Sequence, residues 1–255
     1  MVDSTDRYSR LDSIPAFFCT EPLLPGRPVT LAEDAAHHMR VARIPPGEVV
    51  GLRNGAGITA RGTVVKISRA SALVDVLDVH EVDRPSPLHL LPPVADRERM
   101  LWLAEKATEL GITSWRPVVW RRSKSVSPRG EGSTFQAKVR ARMTSALLQS
   151  GGAWLPDMFP DASVDRAVSA APAGTRLVLA RDGDPIASVA IGEPTTIALG
   201  PEGGMEPDEL KTFVDGGFQP VRLTGTTLRF ETAGMAAIAI AVAQLSLAVS
   251  THGEA

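Results

Sequence analysis

The sequence contains very little cysteine, since Cys19 is its only one among 255 residues. A single thiol excludes a disulfide framework and any zinc site built from cysteines. The five histidines are scattered and have no metal-ligand spacing. We therefore expect a protein of a reducing compartment, the cytoplasm, with no resident metal.

Long uninterrupted apolar runs are also missing. A membrane-spanning helix needs about 18 to 20 consecutive apolar residues, and the nearest stretch, residues 233–249, is interrupted by Gln244 and Ser246. This stretch is predicted to be a buried helix, and no membrane partner is expected. The polar, acidic residues 1–7 lack the pattern of a secretory signal, and residues 1–12 are expected to form a flexible N-terminus.

The formal net charge is only −2, but the charges are unevenly distributed. Residues 96–142 hold 11 Lys and Arg against 5 Asp and Glu, whereas residues 143–255 hold 6 against 13. The near-neutral total therefore hides a basic middle segment and an acidic C-terminal segment. A basic run is more often a solvated face than a binding surface, but this one lies in a chain that is otherwise acidic, which favours contacts with nucleic-acid phosphates.

Turn signals and hydrophobic patterning divide the chain in two. Residues 13–84 carry short alternating runs around an Asn-Gly hairpin signal, which predicts a small β-barrel domain. Pro85 and Pro87 mark a linker. Residues 85–250 alternate strand-like and helix-like segments, which predicts an α/β domain with a mostly parallel sheet. Its first helix is predicted to begin at an N-cap supplied by Asp96 or its neighbour and to run through residue 110. Further helices are predicted over residues 134–149, 207–215 and 231–250, and residues 112–120 are predicted to form one strand.

A glycine-rich loop follows the predicted strand at residues 195–199. Ligands of open α/β sheets bind at the carboxyl ends of the strands, and the glycines of this loop permit positive φ and close approach of the backbone to a ligand. The loop has neither the Walker A ending nor the Rossmann spacing, so both common nucleotide motifs are excluded. A tight strand-to-helix turn is the plainer interpretation. The loop reads Leu199-Gly200-Pro201-Glu202-Gly203-Gly204.

A second unusual loop, residues 223–233, connects the last predicted strand with the last helix. Glu231 falls in the first turn of that helix, where the helix dipole favours a carboxylate, so a capping role is as well supported as a catalytic one. Arg229 lies between Leu228 and Phe230, and a structural salt bridge is its simplest role.

Together the two loops resemble a known family. The segment Gly200-Pro201-Glu202-Gly203-Gly204, followed by Leu228-Arg229-Phe230-Glu231-Thr232-Ala233, resembles the SPOUT methyltransferases, and among them the bacterial ribosomal RNA uracil-N3 methyltransferases. Supporting segments occur in the same order at residues 37–43, at residues 106–111, and at Gln149 followed by Pro156. Ala16 and Gly152 stand where the family usually has arginines, which removes positive charge expected to face RNA or the target base.

The resemblance implies a fold, a cofactor and partners. The fold is a C-terminal SPOUT α/β trefoil-knot domain with an N-terminal PUA-like β-barrel domain, in a homodimer formed through the knotted domain. The target is N3 of one uridine in 16S ribosomal RNA of the 30S subunit. The cofactor is S-adenosyl-L-methionine, with no metal, and the residues implied to bind it are Leu199, Gly200, Pro201, Glu202, Gly203, Gly204, Leu223, Gly225, Thr226, Leu228 and Arg229.

The chemistry of N3 methylation suggests roles for three side chains. Uracil N3 must lose its proton, and a nearby cation stabilises the negative charge that remains on the base. This role is predicted for Arg229. Glu202 and Glu231 are both candidates to accept the proton, and the sequence does not choose between them. RNA contacts are predicted for Arg40, Arg43, Arg121, Arg122 and Lys124.

Two functions of other kinds stay open. One is a noncatalytic RNA-binding or ribosome-assembly protein on the same scaffold, which the missing arginines suggest. The other is a SPOUT methyltransferase that acts on a different RNA base. A methyl-transfer assay separates an enzyme from a binding protein, and identification of the modified nucleotide separates the two enzymes.

Overall fold

The computed structural model describes residues 14–123 and 132–252, with side chains described as far as residue 247. The chain forms two compact units. One comprises Met1–Arg84 and Thr144–Leu155, and the other comprises Pro85–Met143 and Pro156–Ala255. The first unit is therefore discontinuous, because it takes in a short segment from the middle of the chain.

The first unit is built on a five-stranded sheet. Its elements are β1 (Ala16–Phe18), β2 (Pro28–Leu31), α1 (Glu33–Val41), β3 (Val49–Arg53), β4 (Ile58–Ile67) and β5 (Ala72–Glu81). The strand order is β1-β3-β4-β5-β2, and every pair is antiparallel except β1 and β3. Within residues 14–123 the strands β1 and β2 form the two edges, so the sheet is open rather than a closed barrel.

Side chains that alternate between buried and exposed along the strands form the core of this unit. Val74 and Val76 of β5 point inward, and α1 covers them with Ala36 and Met39, which are fully buried. Cys19 lies in the same core, and burial raises the pKa of its thiol. A buried thiol with a raised pKa is a poor nucleophile, so this residue serves packing.

Trp154 is fixed within the first unit. Its indole Nε1 donates to the carbonyls of Val82 and Asp83 at 2.9 and 3.1 Å, and the guanidinium of Arg84 lies over the ring, 5.4 Å from its centre. Gly57 leaves room for the indole, since a Cβ there would lie 2.3 Å from the ring. The turn around Gly152, where the family resemblance leads us to expect arginine, is thus held in place by the side chain of Trp154.

The second unit is built on a six-stranded, wholly parallel sheet. The unit has eight strands, six of them in this sheet: β6 (Leu88–Leu91), β7 (Ser114–Trp115), β8 (Val118–Val119), β9 (Asp157–Met158), β10 (Ala162–Ser163), β11 (Thr175–Pro185), β12 (Thr195–Ala198) and β13 (Gln219–Arg222), as far as the structure describes the chain. The order in the sheet is β13-β11-β12-β6-β7-β9, and β8 pairs with β10 in a separate two-stranded sheet. The predicted α/β class with a mostly parallel sheet is confirmed.

Helices connect these strands, and a short 3₁₀ helix (Ile186–Ser188) follows β11. They are α2 (Arg97–Glu109), α3 (Gly132–Ser150), α4 (Val164–Ser169), α5 (Pro207–Asp215) and α6 (Phe230–His252). The residues of α3 from Thr144 onward belong to the first unit.

Local sequence signals explain several of these boundaries. The Asp96 side chain accepts a hydrogen bond from the amide of Arg99 and caps α2, as predicted. The helix α5 begins with Pro207 after a capping box formed by Glu206 and Glu209. The prediction of one strand over residues 112–120 is wrong, because β7 and β8 lie in different sheets and Pro117, which has no amide hydrogen, stands between them.

The last helix is less buried than the sequence suggests. Over Phe230–Leu247 the mean hydropathy of α6 is 1.5, which is enough by length and composition to cross a membrane, yet only 33% of this window is buried. The buried face is the one that carries Gly234, Ala237, Ile238, Ala241 and Leu245. The opposite face exposes Ala239, Ala243 and Leu247. The prediction of a buried helix therefore holds for one face only.

Arg176 ties the ends of two helices to the start of β11. Its guanidinium donates from Nη1 to the carbonyl of Gly216, the C-cap of α5, at 2.7 Å. It also donates to Ala171 and Pro172, just after α4, at 2.6 and 2.9 Å. One side chain thus satisfies three carbonyls, which suits the planar five-donor guanidinium.

We expect Arg176→Met to lower the free energy of unfolding by about 1–3 kcal/mol, because three carbonyls lose a charged donor. Urea denaturation measures this. Lys211→Met is the control, since it removes only the exposed ion pair with Asp215 and should cost less than about 0.5 kcal/mol. Equal stability of the two variants would contradict the role assigned to Arg176.

Candidate functional site

A cleft of about 810 Å³ opens where several parallel strands of the second unit end. Its walls come from the ends of the adjacent strands β11, β12 and β13, and from the first turn of α2, which follows β6. The side chains and backbone that line it are Arg99, Leu179, Ala180, Arg181, Asp182, Leu199, Gly200, Pro201, Glu202, Gly204, Met205, Leu210, Pro220, Val221, Arg222, Leu223, Thr224, Thr226, Thr227, Leu228, Arg229, Phe230 and Ala233.

The glycine-rich loop after β12 forms one wall. Gly204 has φ of 77°, and its amide donates to the carbonyl of Pro201 at 2.9 Å, which closes a tight turn. A side chain at position 204 would be strained by this backbone angle. Gly203, which is not among the lining residues, packs on Arg122, since a Cβ at Gly203 would lie 3.0 Å from the Cβ of Arg122.

The loop between β13 and α6 forms a second wall. Leu223, Thr226 and Leu228 line the cleft, whereas Gly225 does not. Arg229 also lines the cleft and is exposed. Among the residues that the structure describes, its guanidinium has no hydrogen bond or ion pair, so the structural salt bridge considered for it is not formed.

The third wall is a bulge in β11 that the sequence analysis missed. Both Leu179 and Asp184 pair with Val221, so residues 180–183 leave the sheet between them. Gly183 closes the bulge on the neighbouring strand, where a Cβ would lie 2.5 Å from the backbone of Val221. The polar Arg-Asp-Gly-Asp run after an apolar strand is the signal that would have indicated a turn here.

Both candidate carboxylates meet at Arg99, which the sequence analysis did not select. The Arg99 guanidinium forms an ion pair with Glu202, and its Nε lies 3.8 Å from Oε1 of Glu231. Glu202 lines the cleft and Glu231 does not. The other carboxylate oxygen of Glu231, Oε2, is buried and has no hydrogen-bond partner in the described part of the chain.

Close packing of α6 explains this convergence. Gly234, one turn into α6, leaves no room for a side chain, since a Cβ there would lie 2.8 Å from Leu199 Cδ1 and 3.0 Å from Leu103 Cδ1. The helix therefore lies close against α2 and the end of β12. The first turn of α6, with Glu231, is thereby brought beside the first turn of α2, with Arg99.

Arg121 and Arg122 have partners within their own unit. Arg121 pairs with Asp208, and Arg122 pairs with Glu206 at 2.7 Å and donates to the carbonyl of Gly203 at 3.0 Å. The hydrogen bond from Arg121 lowers the pKa of Asp208. The two arginine side chains remain 59% and 51% exposed. They hold the glycine-rich loop and α5 while keeping much of their surface open to solvent.

The other predicted RNA contacts lie elsewhere or outside the described residues. In the first unit, Arg40 donates to the backbone carbonyls of Ser68 and Arg69, and exposed Arg43 has φ of 56° at the end of α1. Lys124 lies outside the described residues. Within the described ranges no group of three His, Cys, Asp or Glu side chains is placed to hold a metal ion.

Two family models match the chain. An RNA methyltransferase domain matches residues 82–242, and an RNA methyltransferase PUA domain matches residues 31–77. The predicted PUA-like character of the N-terminal domain is confirmed by the second match.

Two curated relatives of this chain have the same name. The ribosomal RNA small subunit methyltransferase E of Mycobacterium bovis is 30% identical over 219 residues, which cover 81% of this chain and 82% of that protein. The protein of the same name from Synechocystis is 27% identical, over 83% of this chain and 71% of its own length.

Solved structures of the same fold span nearly the whole chain. The ribosomal RNA small subunit methyltransferase E of Neisseria gonorrhoeae, bound to S-adenosylmethionine, is 26% identical with a TM-score of 0.84, covering 91% of this chain and 98% of its own. A structure from Legionella pneumophila, also with bound S-adenosylmethionine, is 24% identical with a TM-score of 0.84, covering 90% of this chain and 97% of its own. The Legionella likeness shows the fold.

Two glycines in the segments that form the cleft walls, neither of which lines the cleft itself, provide a matched test of its architecture. Gly183→Ala should lower the free energy of unfolding by about 1–3 kcal/mol, because the new Cβ meets backbone that has little freedom to move. Gly225→Ala should change it by less than about 0.5 kcal/mol, since nothing lies within 4 Å of a Cβ at that position. Denaturant titration of both variants checks this, and a Gly183→Ala protein as stable as Gly225→Ala would rule out the bulge.

Proposed function

The chain belongs to the RNA methyltransferase family that includes ribosomal RNA small subunit methyltransferase E, and we propose that it transfers a methyl group from S-adenosylmethionine to N3 of a uridine in 16S ribosomal RNA of the 30S subunit. The enzyme class follows from the family. The target base and atom rest on the resemblance of the two cleft loops to the uracil-N3 methyltransferases. The observation that carries the proposal is the meeting of both loops in one cleft.

The cleft fits S-adenosylmethionine by size and by chemistry. Its volume of about 810 Å³ lies within the range of about 300–1,000 Å³ that is usual for small-molecule sites. Leu199, Leu223 and Leu228 offer apolar surface for the adenine ring, and the carboxylates of Asp182 and Glu202 offer negative charge to its cationic groups. When bound there, S-adenosylmethionine supplies an electrophilic methyl group on a sulfonium centre.

Arg229 is the residue that we assign to the target base. Methyl transfer at N3 requires loss of the N3 proton, and the resulting charge is shared with O2 and O4 of the ring. Arg229 lines the cleft with a guanidinium that has no partner among the described residues. A free cation at the mouth of the site is suited to stabilise that charge.

The carboxylates take different roles in this proposal. Glu202 reaches the cleft, so we assign it to orient the base or accept its proton. Glu231 lies behind Arg99 and is only 12% exposed, so we assign it to support that arginine. Its place in the first turn of α6 also suits the favourable interaction of a carboxylate with the helix dipole.

RNA binding is assigned to exposed arginines on both units. Arg40 and Arg43 belong to the PUA-like unit, and Arg40 uses backbone carbonyls as partners, which leaves its positive charge unneutralised. Arg121 and Arg122 are half exposed beside the glycine-rich loop. Contacts of this kind bind phosphates and position the RNA without reading its sequence. An enzyme that acts on ribosomal subunits is expected in the cytoplasm.

We also propose a homodimer formed through the C-terminal unit. The outer face of α6 presents the small apolar side chains Ala239 and Ala243 and the exposed Leu247. Contiguous apolar surface of this kind is typical of an interface between subunits. A second copy of the chain is the partner that the family resemblance implies.

Arg229→Ala should retain S-adenosylmethionine affinity within about threefold but lose methyl transfer to 30S subunits by about 10²–10³-fold, the usual effect of removing one group that stabilises transition-state charge. Calorimetry measures the first quantity and transfer of a radiolabelled methyl group measures the second. Lys211→Met is the control and should retain both. Undiminished turnover by Arg229→Ala would refute its assignment.

Ala243→Glu should convert the dimer to a monomer, because the outer face of α6 would then bury a charge without a partner. Sedimentation equilibrium measures the mass in solution. Val214→Glu places the same charge on the exposed surface of α5 and should leave the dimer intact. A monomeric wild-type chain, or an intact dimer of Ala243→Glu, would contradict this interface.

A further inference from the structure

We propose that Arg99 is a positioning residue that fixes the glycine-rich loop for cofactor binding, through an ion cluster with Glu202 and Glu231. The inference rests on the proposed function for the identity of the cofactor. It assigns a role to a residue that neither cleft motif contains.

The cluster joins three separate elements of the second unit. Arg99 lies in the first turn of α2, Glu202 in the loop after β12, and Glu231 in the first turn of α6. The position of Arg99 is itself fixed, since its amide donates to the Asp96 cap at 3.1 Å and α6 packs closely on α2 at Gly234. Of the three elements, the loop is the one without regular secondary structure, so it is the element that the cluster restrains.

Charge and burial show why the arginine is needed. Two carboxylates face one guanidinium, and the side chain of Glu231 is 12% exposed, against 29% for Glu202 and 32% for Arg99. Without Arg99, a nearly buried carboxylate would lose its cation and face a second carboxylate across the cleft wall. An unpaired buried charge is strongly unfavourable, so the loop that carries Glu202 would move away.

The loop is held from a second direction by Arg122. That residue donates to the carbonyl of Gly203 and pairs with Glu206 just beyond the loop. Arg99 therefore restrains the side of the loop that faces the cleft, and Arg122 restrains the other. A loop fixed at both faces presents its backbone groups in one arrangement before the ligand arrives.

Arginine suits this position better than lysine. The ion pair with Glu202 uses Nη1, whereas Nε faces Glu231, so two different edges of one planar group are engaged. A lysine ammonium is a single point charge on a flexible stem and does not reproduce this fork. Arg99→Lys should therefore restore only part of the function.

At saturating cofactor the bound ligand itself holds the loop, so the loss of Arg99 should change cofactor affinity and not the chemical step. The loss of Glu202 should lower kcat as well, because that carboxylate is assigned to the target base. Preorganising a loop lowers the cost of binding, and an interaction made equally in the ground and transition states changes KM without changing kcat. This separates Arg99 from Arg229, whose loss should reduce kcat.

The test measures binding of S-adenosylmethionine and of S-adenosylhomocysteine by calorimetry in the full chain. Arg99→Met should raise Kd for both ligands at least tenfold, with kcat at saturating cofactor within threefold of wild type. The Kd of Arg99→Lys should lie between that of wild type and that of Arg99→Met. Glu202→Gln should also raise Kd. The double variant of Arg99→Met and Glu202→Gln should have a Kd no higher than that of Arg99→Met alone. Unchanged Kd in Arg99→Met, or independent effects in the double variant, would overturn the proposal.

A second readout needs no ligand. Hydrogen exchange of the amides of residues 200 and 202–205 should be faster in ligand-free Arg99→Met than in wild type, and unchanged in Lys211→Met. Equal exchange in Arg99→Met and wild type would also overturn the proposal. If wild type itself does not bind S-adenosylmethionine, the proposed function is wrong. If wild type and Arg99→Met bind it with equal affinity, only the role of Arg99 is refuted.

Discussion

The site depends on one geometric constraint, the parallel direction of four neighbouring strands. Because β13, β11, β12 and β6 lie side by side and run the same way, the segments that follow them emerge at one edge of the sheet. Segments that are far apart in sequence must then share one cleft. This is the general rule for open α/β sheets, and here it brings together the glycine-rich loop, the bulge of β11, the loop between β13 and α6, and the start of α2.

Ion pairing within the second unit gives the uneven charge distribution a structural meaning. Arg99, Arg121 and Arg122 come from the basic middle segment, and their partners come from the acidic C-terminal segment. All three arginines form ion pairs or hydrogen bonds with the loop after β12 or with α5, the helix that follows it. Part of the basic charge that suggests RNA contacts is therefore used to hold the glycine-rich loop, and the charge that stays exposed is available for contact with phosphates.

Local patterns predicted much of the fold. Pro207–Asp215 is the helix that was predicted, and the Asp96 cap of α2 was anticipated, because capping and helix signals act over a few residues. The glycine-rich loop could be identified because its glycines directly indicate a backbone that permits positive φ and close approach of a ligand. The α/β class followed from alternation of elements.

What the sequence analysis missed depends on contacts between distant segments. The pairing of Arg99 with Glu202 joins residues 103 positions apart, and no periodicity records such a contact. The bulge at residues 180–183 exists because both ends pair with one residue of β13. The open face of α6 was missed because composition alone does not distinguish a helix buried all round from one that has a single covered face.

We propose that this cleft methylates N3 of a uridine in small-subunit ribosomal RNA. The most direct measurement is mass spectrometry of 16S ribosomal RNA after incubation of unmodified 30S subunits with the purified protein and isotopically labelled S-adenosylmethionine. The labelled methyl group should appear at a single position, as 3-methyluridine. Label on another base or another atom of uridine, or RNA binding without any label, would contradict the claim.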